Sequence, residues 1–278
     1  MPNAAQAQRW GGAAGQHWID FEAGYDRQLE PFGVALLDAA ALRPGQRVLD
    51  VGCGTGTALL AAADLAGFVL GVDISPRLVA RAQRRAAGRS NVEVRVADAQ
   101  TAAFEPMFDV IISRFGLMFF DDPRAAFANL RGALLPDGRL VAIWWQPLDP
   151  NEWMRIPGEA LSRVVPLGDL TESGQPGPFS LGDPADVEAI LTDAGWHDLR
   201  LDPIEAPVLL SGGSLDDAVG FVRRGSLGRS ALLGVSSDVE ARALAAVRDA
   251  LAPFQTPRGV ELAGAAWVVH ARAGAGRG

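Results

Sequence analysis

A chain of 278 residues, 49% of them hydrophobic, is long enough to bury a substantial core as one large domain or two small ones. Its net charge of −8, from 25 basic and 33 acidic residues, argues against a nucleic-acid partner, which needs a basic face. No run of 18 apolar residues predicts a membrane span, the polar start lacks the apolar core of an export signal, and one cysteine, Cys53, gives neither a disulfide nor a metal framework, so a reducing cytoplasm is the expected compartment.

Residues 1–35 are expected to form a helical lid segment. From there strand and helix signals alternate. Residues 47–51 read as a buried strand, 57–66 as an Ala- and Leu-rich helix stopped at Gly67, and 68–72 as a second strand. A helix follows with Ser75 as N-cap, Pro76 at its first position and Gly88 past its end. Strands are expected at 92–96 and 108–112, then a helix opened by Asp122 and Pro123 that places Ala126, Phe127, Leu130 and Leu134 on one face. The stretch Pro136–Asp137–Gly138 predicts a turn into a fifth strand over 139–145. Residues 147–180, rich in Pro, Gly and Asp, predict a long loop. A helix from Pro184 to Gly195, a strand over 198–210, two helices near 215–227 and 237–252, and a last strand over 265–271 complete the pattern. Alternation of this kind implies an α/β fold with a doubly wound, mostly parallel sheet. The expected division is a core of 36–210 plus 259–278 and a helical cap insertion over 211–258, which could cover the carboxyl edge of the sheet where such folds bind ligands.

Chemistry gathers on that edge. The turn after the first strand carries Gly52, Gly54 and Gly56, which permit positive φ and close approach of a ligand to the backbone, and the N–H groups of a helix start can hold an anion. Thr57 stands where a dinucleotide fingerprint needs its third glycine, so a nicotinamide-dependent oxidoreductase is disfavoured. The second strand ends in Asp73, suited to accept both hydroxyls of a ribose, although help in capping the next helix is a rival role. Asp98 follows the third strand, and Ser113 and Arg114 follow the fourth. Singly each acid reads as a cap or a solvated residue; four successive strand ends bearing glycine or polar groups read as a site.

The stretches "VLDVGCGTG", "GVDIS", "ADAQ" and "LLPDGRL" resemble the motifs of class I S-adenosylmethionine-dependent methyltransferases, and the core is similar to a bacterial subgroup that includes quinone-pathway enzymes. Asp137 departs from the glycine usual there, in a turn that Asp also suits. The resemblance implies a Rossmann-like seven-stranded sheet whose last strand is antiparallel and inserted beside the fifth. It also implies S-adenosylmethionine as cofactor. Gly52, Gly54 and the backbone around Asp50 would hold the methionine part and Asp73 the ribose. Ile74 would lie on the adenine face, the Asp98 side chain and the Ala99 backbone at the adenine edge, and Ser113 near the sulfonium. Methyl transfer to a small organic molecule is the implied reaction. The rivals are a cofactor-binding enzyme that transfers no methyl group and a silent regulatory partner.

Among three histidines, His17 is the candidate base, because it lies in the segment expected to fold over the cofactor with Trp18 and Tyr25. Arg114 would either steady an anionic acceptor or pair with a nearby acid. Trp144, Trp145 and Trp153 would wall an acceptor pocket or fill the core. Cys53 is expected to be inert, and Arg81, Arg84, Arg85 and Arg89 to form a solvated helix face.

Overall fold

The computed structural model describes residues 2–168 and 176–274. Four helices lead: α1 (Ala4–Gly11), α2 (Ala13–Asp20), α3 (Glu22–Gln28) and α4 (Glu30–Ala40). The alternating part follows as β1 (Arg47–Val51), α5 (Thr57–Ala63), β2 (Phe68–Asp73), α6 (Pro76–Arg85), β3 (Val92–Val96), β4 (Phe108–Arg114), α7 (Pro123–Gly132) and β5 (Leu134–Trp145). Then come α8 (Glu152–Ser162), α9 (Pro184–Asp193), β6 (His197–Ser211), α10 (Leu215–Arg224), α11 (Ser226–Ala231), α12 (Ser237–Leu251), β7 (Gln255–Thr256) and β8 (Gly259–Arg272).

The sheet order is β3-β2-β1-β4-β5-β8-β6, with the two-residue β7 pairing on β8. Strands β1 to β5 are mutually parallel, and β8 runs antiparallel between β5 and β6. This is the Rossmann-like sheet with an inserted antiparallel last strand. The central strands are covered on both faces and so read as apolar runs: Leu49, Ile111, Ile112, Leu140 and Val141 are fully buried. Strand order reverses between β1 and β4, which opens a crevice at their carboxyl ends.

The helix starts follow their capping residues. The Ser75 hydroxyl accepts from Leu78 N at 3.3 Å, Asp122 from Ala125 N at 3.0 Å, and Ser214 and Asp217 form a reciprocal capping box.

Three expectations are corrected. The expected boundary at residue 35 falls inside α4, whose Phe32, Leu36 and Ala40 are wholly buried in the main core. The stretch Pro136–Asp137–Gly138 is an irregularity inside β5 and does not precede it: pairing jumps from Phe108↔Leu134 to Val110↔Arg139. The expected loop over 147–180 contains α8, with Pro157 inside it; residues 169–175 of that range, like 275–278 of the expected core, lie outside the described residues. Pro and Gly disguised α8 as loop. It forms because Pro157, Gly158, Ala160 and Leu161 bury against α12 and β8. Asn151 anchors its start: fully buried, it donates to the carbonyls of Gln146, Pro147 and Ala265 and accepts from Ala265 N and Trp153 Nε1.

Candidate functional site

The glycine turn is held against β2 by its own backbone. Gly52 N and Cys53 N both donate to the Val72 carbonyl, at 2.9 and 3.0 Å. Gly54 N donates to Asp73 Oδ2 at 2.9 Å, and Ser75 N to Asp73 Oδ1 at 2.8 Å, so Asp73 shapes the turn as well as facing the cleft. Gly54 has φ +55°, and a Cβ built on it meets nothing within 4 Å: the turn leaves a space that a ligand would fill. Gly52 is required for another reason, since its Cβ would come within 2.8 Å of the Gly116 backbone.

Two acids lie beneath this turn. Asp50 is 1% exposed, and its Oδ2 has no hydrogen-bond partner among the described residues. Burial pushes its pKa up to about 7, with Arg114 opposing and Asp73 adding to the rise. Burial also raises Asp73 to about 6, against the pull of the Ser75 and Gly54 N–H groups. A buried carboxylate with an empty lone pair suits a cationic ligand. The Cys53 thiol is pushed well up by burial and stays protonated, as expected of an inert residue.

At the end of β4, Arg114 lies deep in the cleft. Its guanidinium is 3.8 Å from Asp26 and is drawn below its ordinary range by burial, against Asp26 and Asp50. Phe115 adopts φ +59°, uncommon for an aromatic residue, and stacks on Trp145 with ring centroids 4.2 Å apart. Trp153 packs on the other side of Trp145 at 4.8 Å, and both tryptophans line the cavity. Trp144 is core: fully buried, 6.3 Å from Phe127. Ser113 does not line the cleft. It is fully buried and its hydroxyl donates to the Val51 carbonyl at 2.7 Å, pinning β4 to β1, so its expected place near the sulfonium is withdrawn.

The remaining site residues come together in one cavity of about 280 Å³. Its floor includes Asp50, Gly52, Gly54, Asp73 and Ile74, with Asp98 and Ala99 at one end and Arg114 deep within. The roof comes from both ends of the chain. From α1–α3 it takes Arg9, Trp10, His17, Trp18 and Tyr25; from α10 and α11 it takes Phe221, Ser226 and Arg229. Tyr25 stacks on Trp18 at 4.0 Å and meets Phe221 edge-on at 5.5 Å, closing lid onto cap; burial lifts its phenol to about 12. Asp98 already accepts from Asn3 Nδ2 at 2.8 Å, and Asn3 also reaches Gln100 and Asp121.

Of the arginines expected on a solvated face, Arg84 is exposed, but the others, two on α6 and Arg89 just beyond it, are engaged. Arg81 and Arg85 both bind Glu22 of α3, at 2.7 and 2.6 Å, and Arg89 binds Asp64. Arg9, Phe115 and Arg229 escaped the sequence reading because no spacing links them. The Phe115–Gly116 pair directly after a strand end was the one available signal.

Residues 49–142 match the model of a family described as a methyltransferase domain. An uncharacterised protein of Mycobacterium tuberculosis is 36% identical over 128 residues, 45% of this chain and 47% of that one; this match thus spans about half the relative's length. Phosphoethanolamine N-methyltransferase 1 of Triticum aestivum is 34% identical over 59% of this chain and 30% of its own. Aklanonic acid methyltransferase DauC of a Streptomyces species is 34% identical over 40% of this chain and 53% of its own. Among solved structures, the YcgJ protein of Bacillus subtilis superposes with a TM-score of 0.58 at 20% identity, over 86% of this chain and 97% of that one. A Haemonchus contortus phosphoethanolamine N-methyltransferase 2 in complex with S-adenosyl-L-methionine superposes with a TM-score of 0.56 at 19% identity, over 90% of this chain and 56% of that one.

Residues 49–142 thus match a methyltransferase domain, within a fold shared with a solved structure that holds S-adenosyl-L-methionine. The open glycine turn and the unpartnered Asp50 oxygen fit that cofactor. Among the described residues no cluster of metal ligands occurs, and no helix is long and apolar enough to cross a membrane.

Proposed function

We propose that this chain transfers a methyl group from S-adenosylmethionine to a small organic acceptor. The observation that carries the reading is one cavity lined both by the acids and glycines of the sheet edge and by the aromatic residues Tyr25, Phe115, Trp145 and Trp153, a lining suited to an organic acceptor beside the cofactor. The relatives named for phosphoethanolamine and aklanonic acid support a small acceptor. Engagement of Arg81, Arg85 and Arg89 by carboxylates supports it over nucleic acid.

When bound, the cofactor supplies an electrophilic methyl group on a cationic sulfur. Asp50 and the N–H groups of the glycine turn would hold the methionine end, and Asp73 the ribose hydroxyls. Ile74 would cover the adenine face, with Asp98 and Ala99 at its edge. The helices α1–α3 act as the lid and those of 211–258 as the cap, excluding water and aligning the acceptor behind the methyl carbon; orientation of this kind contributes roughly 7–11 kcal/mol. His17 is the proton acceptor for an oxygen nucleophile. Burial, Arg229 and Arg224, outweighing Asp20, hold it below its ordinary pKa, so it is neutral near pH 7, and its Nε2 is buried and unpartnered among the described residues. Arg114 positions Asp50 and Asp26.

Calorimetry with S-adenosylhomocysteine, followed by a screen of hydroxylated acceptors with radiolabelled methyl donor, tests this. Micromolar binding with label appearing in an acceptor is the expected outcome. Label that remains on the cofactor with every acceptor would favour the non-methylating rival.

A further inference from the structure

Charge is segregated across the cavity. Its acids, Asp50, Asp73 and Asp98, belong to the sheet edge, whereas Arg9, His17 and Arg229 come from the lid and the cap. In this chain of net charge −8 some exposed arginines pair with carboxylates, as Arg81, Arg89, Arg95, Arg223 and Arg248 do, and others, such as Arg27, Arg84 and Arg242, face water. Arg9 and Arg229 form no ion pair or hydrogen bond to another side chain among the described residues, and His17 Nε2 is buried without a partner. The groups sense one another. Burial and Arg229 lower the pKa of Arg9, and Arg229 lowers that of His17 as well. The charged and titratable groups facing this corner are Arg9 from α1, His17 and Asp20 from α2, Tyr25 from α3, Arg224 from α10 and Arg229 from α11; of the two acidic ones, Asp20 is engaged by Gln16 and Tyr25 keeps its proton. Two cations that converge on one cavity without a counter-charge repel one another, and an anion between them relieves that repulsion.

We infer that Arg9 and Arg229, with the His17 imidazole beside them, bind an oxyanion carried by the methyl acceptor, a carboxylate or a phosphate on an apolar body that lies against Tyr25, Phe115 and Trp145. This rests on the methyltransferase reading above. The arginines would act by charge-assisted hydrogen bonds to the acceptor, adding a bridge between lid and cap to the Tyr25–Phe221 contact already present. The cofactor's own carboxylate belongs at the other end, beside the glycine turn and Arg114.

The test uses the full chain saturated with S-adenosylhomocysteine and three probes: 4-hydroxybenzoate, phenyl phosphate and neutral 4-hydroxybenzamide. Calorimetry should show at least one oxyanion probe binding tenfold or more tightly than the amide, and the better of the two identifies carboxylate or phosphate as the preferred group. In the Arg9→Gln/Arg229→Gln variant the preference should fall below twofold, each single variant giving an intermediate value, with affinity for S-adenosylhomocysteine unchanged. Equal binding of acid and amide, binding of none of the probes, or a preference that survives the double variant would overturn the inference. So would a parallel loss of S-adenosylhomocysteine affinity, which would assign the arginines to the cofactor. Failure of the unmodified chain to bind S-adenosylhomocysteine would instead defeat the methyltransferase reading itself.

Discussion

The two buried acids show how a residue can trade stability for binding. Asp50 and Asp73 have native pKa values of about 7 and about 6, above the roughly 3.9 of an unfolded aspartate. Between about pH 4 and 7 the folded chain therefore binds protons that the unfolded chain does not, and these two groups make the unliganded protein less stable as pH rises through that window. Asp50→Asn should be more stable than the parent in denaturant titrations, by a margin that grows from pH 5 to pH 8. Its affinity for S-adenosylhomocysteine should fall and keep only the pH dependence that Asp73 gives near pH 6, while the parent already binds less tightly below about pH 7 as Asp50 takes a proton. An Asp50→Asn protein with parental affinity at pH 8 would remove Asp50 from the methionine end. Asp73→Ala should weaken binding by roughly 1.5–3 kcal/mol, the range for hydrogen bonds to a charged group, as read by calorimetry on the folded variant. These acids and the glycines were legible in the sequence because their chemistry needs particular residue types at strand ends. Ser113 was misread because a strand end fixes where a residue lies, not whether its hydroxyl turns to the cleft or, as here, to the Val51 carbonyl. Arg9 and Arg229 converge from distant segments, which no local pattern records.

Among the elements, α6 is the one through which floor and lid communicate. Its cap, Ser75, donates to Asp73's neighbour in the lid, the Trp10 carbonyl, at 2.7 Å, while Ser75 N binds Asp73 itself. Arg77 reaches the Gly11 carbonyl and Gln16, and Arg81 and Arg85 share Glu22. If a cofactor orders Asp73, these bonds would carry the effect to α1–α3 along one helix. Glu22→Ala should cost about 1 kcal/mol of local stability in the lid. Amide exchange should accelerate in α1–α3 while β1, β4 and β5 keep their protection; unchanged exchange in the lid would show that the clasp is idle. The caps of α6, α7 and α9 were readable because Ser-Pro and Asp-Pro are local chemistry. The clasp was not, because a run of arginines on a helix face looks the same whether water or Glu22 meets it. The helix α8 was hidden by Pro157, a residue tolerated there because the helix is held by burial on α12 and β8.

Over the whole molecule, lid, floor and cap all line the cavity, so ligand should stiffen all three together. S-adenosylhomocysteine at a hundredfold over its Kd should add about 2.7 kcal/mol. At roughly 2–4 °C per kcal/mol for a chain of this size, Tm should rise by about 5–10 °C. Exchange should slow in α1–α3 and in α10–α11 alike; slowing confined to the sheet edge would mean that the cap plays no part in holding the cofactor. The alternation of strands and helices made the parallel half of the sheet legible, since each βα step has one favoured hand. The place of the last strand came from family resemblance, because an antiparallel insertion leaves no mark in a period-2 pattern.

That insertion bears on how the molecule is made. Among the described residues strand β6 pairs with no strand but β8, and β8 follows it in the chain with the whole cap between them. A nascent polypeptide emerging from the ribosome thus completes its parallel half early and must carry residues 197–211 unmatched until residues 259–272 arrive. One late strand then seals two edges at once, so a polypeptide arrested before residue 259 should be a chaperone client and be cut by proteases within 197–211, whatever the state of its first five strands.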